Sequence, residues 1–125
     1  MIEKNENGFI DIEVKQLLDW KENEGCIVSD KITKEGWCVG YMYREKGENQ
    51  YPDSGWRFLK GDEDDVYMND VDNHHVFSLN TICNYDPAIL PYLYSSVGSA
   101  YIRVSAHEFV LDKCDREIYF KKQDR

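Results

Sequence analysis

The sequence predicts an α+β fold: one domain built on a mostly antiparallel β-sheet with two or three short helices. Three observations predict it. The chain has 125 residues, a length that suits one hydrophobic core. Short apolar runs separated by turn residues recur through its middle and C-terminal parts, as strands with tight connections do. Helical spacing or helix-start chemistry appears near residue 11 and again at Asp86-Pro87.

The elements follow in chain order. Ile10, Ile12 and Val14 alternate as in a strand, but Ile10, Val14, Leu17 and Leu18 also recur at helical spacing. Asp11 as a cap and Gly25 as a stop favour a helix over about residues 11 to 23. Cys26-Ile27-Val28 and Trp37 to Tyr43 flank the turn Thr33-Lys34-Glu35-Gly36 and read as a β-hairpin. The second run is apolar on both faces, as a central strand covered on both sides would be. Arg44 to Gly55 is a polar loop. Trp56-Arg57-Phe58-Leu59 is a short strand with Trp56 and Phe58 on one face. Val76 to Leu79 is another short strand. Asp86 is a natural N-cap with Pro87 at the first helical position, and Pro91 keeps that helix short. Ala100 to Val104, Glu108 to Leu111 and Glu117 to Phe120 are closing strands, the last a possible pairing edge tempered by its flanking charges.

Composition narrows the function classes. Hydrophobic residues make up 42% and aromatics 14% of the chain, too many for a disordered acidic tail. No stretch of about 18 apolar residues predicts a membrane span, and the polar N-terminus carries no export signal, so a cytoplasmic protein is expected. The net charge of −9 disfavours direct nucleic-acid binding. It either attracts a basic partner or keeps the protein soluble. Cys26, Cys38, Cys83 and Cys114 form no C-x-x-C pair. Free structural thiols are expected, the first three buried among apolar neighbours, and neither a zinc site nor a cofactor site.

A catalytic set is not recognisable. The nucleophile elbow, the phosphate-cradling loop and the zinc-hydrolase helix are all absent around His74, His75 and His107. Asp53-Ser54-Gly55 reads as a turn. Residues 62 to 73 carry Asp62, Glu63, Asp64, Asp65, Asp70 and Asp72 with no base. The run is not an EF-hand, because it holds no glycine and Val66 and Tyr67 break the ligand spacing. It is either a solvated, self-repelling loop or a recognition surface. In the second case the acids steer toward Lys or Arg on a protein partner, and Tyr67, Met68 and Tyr51 supply apolar anchors. Arg44, Glu45, Asp53, Trp56 and Arg57 suit structural pairs and stacks, or else a groove serving a small-ligand-binding module or an enzyme.

Several ordered segments resemble the bacterial immunity protein family thirty-three. They are Val28-Ser29-Asp30-Lys31-Ile32-Thr33, Gly36 through Glu45, Asp53-Ser54-Gly55-Trp56-Arg57-Phe58, Gly61-Asp62-Glu63, Asn84 through Leu90, and Val97-Gly98-Ser99-Ala100. The resemblance covers about residues 25 to 101 of the single domain 1–125. Residues 1–24 are expected to form a helix-containing extension, and residues 102–125 C-terminal strands. The family is associated with polymorphic toxin systems. The resemblance therefore implies an antidote that meets a cognate toxin in the cytosol; the acidic run and the unrecognised catalytic set add the expectation of a steric and electrostatic block rather than catalysis. The resemblance implies no enzymatic activity or cofactor, and it leaves the oligomeric state open. Trp37, Gly40, Trp56 and Pro87 are expected at core, strand and cap positions. Ser29, Asp30, Asn84 and Asp86 join the groove residues as members of either a buried polar network or a small groove.

Overall fold

A computed structural model describes residues 3–20 and 24–112. Its strands are β1 (Gly25–Ser29), β2 (Tyr41–Arg44), β3 (Asp53–Leu59), β4 (His74–Ser78), β5 (Ala100–Arg103) and β6 (Phe109–Leu111). Its α-helices are α1 (Asp30–Thr33), α2 (Asp65–Asn69) and α3 (Leu79–Tyr85), with 3-10 turns at Val71–Asn73 and Pro87–Tyr92. The strands form one sheet in the order β4-β1-β3-β2-β5-β6. Only β1 and β3 run parallel within it, so the α+β fold with a mostly antiparallel sheet holds.

The predicted hairpin between residues 26–28 and 37–43 does not form. Ser29 ends β1 by capping α1, its Oγ accepting from the Lys31 amide, and the chain turns away. β3 then takes the place between β1 and β2. Six of its seven residues are buried, and the central position is the one that hides them. The hairpin that does form joins β2 to β3, with Tyr43 opposite Arg57 and Tyr41 opposite Leu59. Gly55 makes it possible. A Cβ there would sit 1.9 Å from the Glu45 carbonyl oxygen, and its φ of +90° suits glycine.

One sheet face is the core. Cys26, Val28, Met42, Trp56 and Phe58 pack there beneath Leu79, Ile82 and Cys83 of α3, Ile89 of the second 3-10 segment and Leu93 at its C-cap. Asp86 caps that segment with Pro87 at its start, as the sequence predicts. α3 was not foreseen. It starts at Ser78, whose Oγ accepts from the Thr81 amide. Its seven residues are too few to display a full amphipathic period.

The helix expected over residues 11 to 23 is absent from 11–20, and residues 21–23 lie outside the described part. The segment runs without regular structure along α3, which satisfies its backbone. Asn80 Oδ1 accepts from the Leu17 and Leu18 amides, Asn84 Oδ1 accepts from Lys15, and Lys15 O accepts from both asparagines. Leu18 alone of its apolar residues is buried, so helical spacing had no continuous face to serve.

Two further expectations are corrected. Trp37 is not core: it is 51% exposed, with the Lys60 ammonium 3.8 Å from its ring centroid. Cys38 is exposed, whereas Cys26 and Cys83 are buried, because the chain from Gly36 to Cys38 leaves α1 before entering the sheet. Cys114 and the strand expected at Glu117 to Phe120 lie outside the described residues.

Candidate functional site

Alternation along β3 divides the candidate residues between two sides of the sheet. Trp56 and Phe58 enter the core, their rings stacked 6.0 Å apart. Arg57 and Leu59 point the other way, in register with Ile27 of β1 and Tyr43 and Tyr41 of β2. Ile27 is in turn opposite Val76 of β4. Met68 of α2 and Val71 of the following turn flank these residues. The result is a cleft of about 330 Å³ with mainly aliphatic walls, bordered by Glu45, Arg57, His74 and His75.

The residues Arg44, Glu45, Asp53, Trp56 and Arg57 therefore do not line one groove. Trp56 is fully buried and donates its Nε1–H to Leu93 O. Arg44 is opposite Trp56 in register; it donates to the carbonyls of Ser54 and Ser95 and lies over the Trp20 ring. Both hold the architecture together. Glu45 and Arg57 border the cleft, and Asp53 braces Arg57 from within.

That brace is a bidentate pair. Arg57 donates from Nη1 to Asp53 Oδ1 at 2.9 Å and from Nη2 to Oδ2 at 2.8 Å. Its Nε–H goes to Glu45 Oε2 at 2.6 Å. Asp53 also accepts from the Glu48 and Gly55 amides. Burial raises the Asp53 pKa, but these hydrogen bonds, Arg57's first, outweigh it and hold the carboxyl at about 2. Burial acts to lower the Arg57 pKa, yet its bonds to Asp53 and Glu45 carry it well above the ordinary arginine range.

The acidic run 62–73 is not a loose loop. Asp62 bridges Lys31 at 3.0 Å and Lys60 at 2.8 Å. Glu63 accepts from the Lys60 and Gly61 amides. Asp64 caps α2, accepting from Tyr67 N, and Asp70 caps the turn that follows, accepting from Asp72 N. Capping explains why so many acids gather where two short helical segments start. The side chains of Asp65 and Asp72 bond to no other described residue. Tyr67 faces inward, with its hydroxyl near Ser29 Oγ, its ring edge-on to His74, and the Lys31 ammonium over it. Exposed Val66 and Val71, 81% and 82% accessible, occupy the outer surface instead. Tyr51, also expected as an anchor, packs against Gly25.

Among the described residues no serine or cysteine side chain bonds a histidine ring, and no cluster of three or more His, Cys, Asp or Glu is placed to hold a metal. His75 Nδ1 lies 2.7 Å from Asp30 Oδ1, which makes His75 a structural partner. His107 sits in an exposed turn. Burial pushes the Cys83 thiol up to about 12 and raises that of Cys26, so both are unreactive at neutral pH. Glu45, Arg57 and Met68 of this lining are among the residues the sequence singles out, whereas its walls at Ile27, Tyr43, Leu59, Val71 and Val76 are not. The one legible signal for these walls was the second face of β3, where Arg57 and Leu59 alternate with the core residues Trp56 and Phe58.

The sheet thus carries its core on one face and, on the other, an apolar cleft with an acidic helical border. The family model described as Immunity protein Imm33 domain matches residues 26–112, and the chain belongs to that family of immunity proteins. No curated protein and no solved structure matches it. No helix among the described residues is long and apolar enough to cross a membrane.

Proposed function

We propose that this immunity protein binds a cognate bacterial toxin in the cytoplasm and neutralises it by steric and electrostatic block, without catalysis. The observation that carries the reading is the surface of α2 and the turn after it. Exposed Val66 and Val71 stand there among Asp64, Asp65, Asp70 and Asp72, with no basic residue between 61 and 73. Apolar contacts framed by one sign of charge suit a basic protein surface, such as the cleft of a toxin that acts on nucleic acid. The acids would stand there in place of phosphates.

The structure selects the variants for the test. Asp62, Glu63 and Asp64 hold the fold's own groups, so neutralising them mixes stability with binding. Asp65→Asn and Asp72→Asn remove charge without removing a bond. The purified protein is mixed with an inactivated toxic domain encoded by the adjacent gene, and association is measured at two salt concentrations. A tight stoichiometric complex is expected, weakened by salt, with a lower association rate and a shallower salt dependence in the double variant. A complex indifferent to both changes would end the electrostatic part of the reading. No complex at all would end the antidote reading.

A further inference from the structure

The cleft between the sheet and α2 has an acidic end that the fold does not use. Glu45 gives one carboxylate oxygen to Arg57, while Oε1 bonds to no described residue, and the side chain is 49% exposed. Asp53 and Glu45 together bring two carboxylates to one guanidinium, so the trio keeps a surplus negative charge. The remaining walls are Ile27, Tyr43, Leu59, Met68, Val71 and Val76. Of the bordering histidines, His75 faces Asp30, while His74 meets the Tyr67 ring edge-on and keeps a buried Nε2 without a hydrogen-bond partner.

Ligand chemistry follows from these walls. An anion entering here meets the surplus carboxylate. A purely apolar group would strip water from Glu45 and return no hydrogen bond. A long cationic side chain satisfies both halves, its methylene stem along the aliphatic walls and its head on the carboxylate. A volume of about 330 Å³ is at the small end for ligand sites, which span roughly 300 to 1,000 Å³, and suits one side chain better than a cofactor.

We propose that the cleft takes a lysine or arginine side chain presented by the partner protein. The proposal rests on the toxin-binding reading and deepens it by naming a contact. It is tested with the full chain and the same inactivated toxin domain, by calorimetric titration of Glu45→Gln, Val76→Lys and Val104→Lys. Val76 is 55% exposed and Val104 57% exposed, so both lysines are tolerated, but only the first sits at the cleft. Circular dichroism and melting verify that each variant is folded. Glu45→Gln and Val76→Lys are each expected to weaken the complex at least tenfold, and Val104→Lys less than twofold. In parallel, Nα-acetyl-lysine methylamide and the toxin domain are each titrated against methyl-labelled protein, and the toxin is expected to shift the Ile27, Leu59 and Val76 signals. A toxin complex unaffected by both cleft variants overturns the proposal and leaves the antidote reading standing. Methyl shifts with the lysine analogue but not with the toxin overturn it in favour of a small-cation site. Absence of toxin binding by the unmodified chain removes both.

Discussion

Replacing Asp53 by asparagine isolates the charge that organises β3. Asp53 and Arg57 are 6% and 4% exposed, and they share two hydrogen bonds. Removing one partner of a buried pair costs about 3 to 5 kcal/mol, because the other charge stays buried. Glu45 remains on Arg57 and asparagine keeps one acceptor, so the lower end, about 3 kcal/mol, applies. A second route agrees. The fall of the Asp53 pKa from 3.8 to about 2 corresponds to about 2 kcal/mol of preference for the charged form. For a chain of this size the melting temperature should drop by about 10 °C. Because the folded-state pKa lies below the unfolded one, this stabilisation is complete above about pH 4 and disappears as pH falls through about 2. Urea unfolding of the two proteins, followed by circular dichroism, should therefore show a gap of about 2 to 3 kcal/mol at pH 7 that narrows between pH 4 and pH 2. A gap below about 0.5 kcal/mol at pH 7, or one that stays constant with pH, would refute the assignment of Arg57 and Asp53 as the structural pair.

Three other outcomes follow. Asn80→Ala should destabilise by about 2 to 3 kcal/mol in the same assay, since it orphans the Leu17 and Leu18 amides and leaves the Lys15 carbonyl with Asn84 alone. Asn84→Ala, on a more exposed bond to Lys15, should cost less. Tyr67→Ala should speed amide hydrogen exchange over Val66 to Asn73 while leaving β1 and β3 protected, because that aromatic ring tethers α2 to Ser29, Lys31 and His74. Iodoacetamide at neutral pH should label Cys38 in the native protein and spare Cys26 and Cys83 until denaturant is added, as read by peptide mass spectrometry.

How far the sequence reached depended on whether a signal was local. Trp56 and Phe58 on one face of a strand, Asp86-Pro87 opening a short helix, and the strands near residues 100 and 109 rest on period-two alternation or on capping chemistry. Both act within a few residues. The family was also legible, in motifs spread through the middle of the chain. Pairing was not. Nothing in residues 26 to 43 says that a strand beginning ten residues later will separate β1 from β2. That order is decided by which strand has most to bury. The N-terminal segment shows the same limit, since its hydrogen bonds go to asparagines more than sixty residues away. The acidic run and the groove residues are the functional counterpart. The sequence by itself determined their charge. Only the tertiary structure decided which acids already serve the fold, that Arg44 and Arg57 lie on opposite sides of the sheet, and that Glu45 retains an unshared oxygen beside an apolar cleft. Charge is a sum over residues and survives in one dimension, whereas a side chain's remaining hydrogen-bonding capacity depends on neighbours that the folded chain brings from elsewhere.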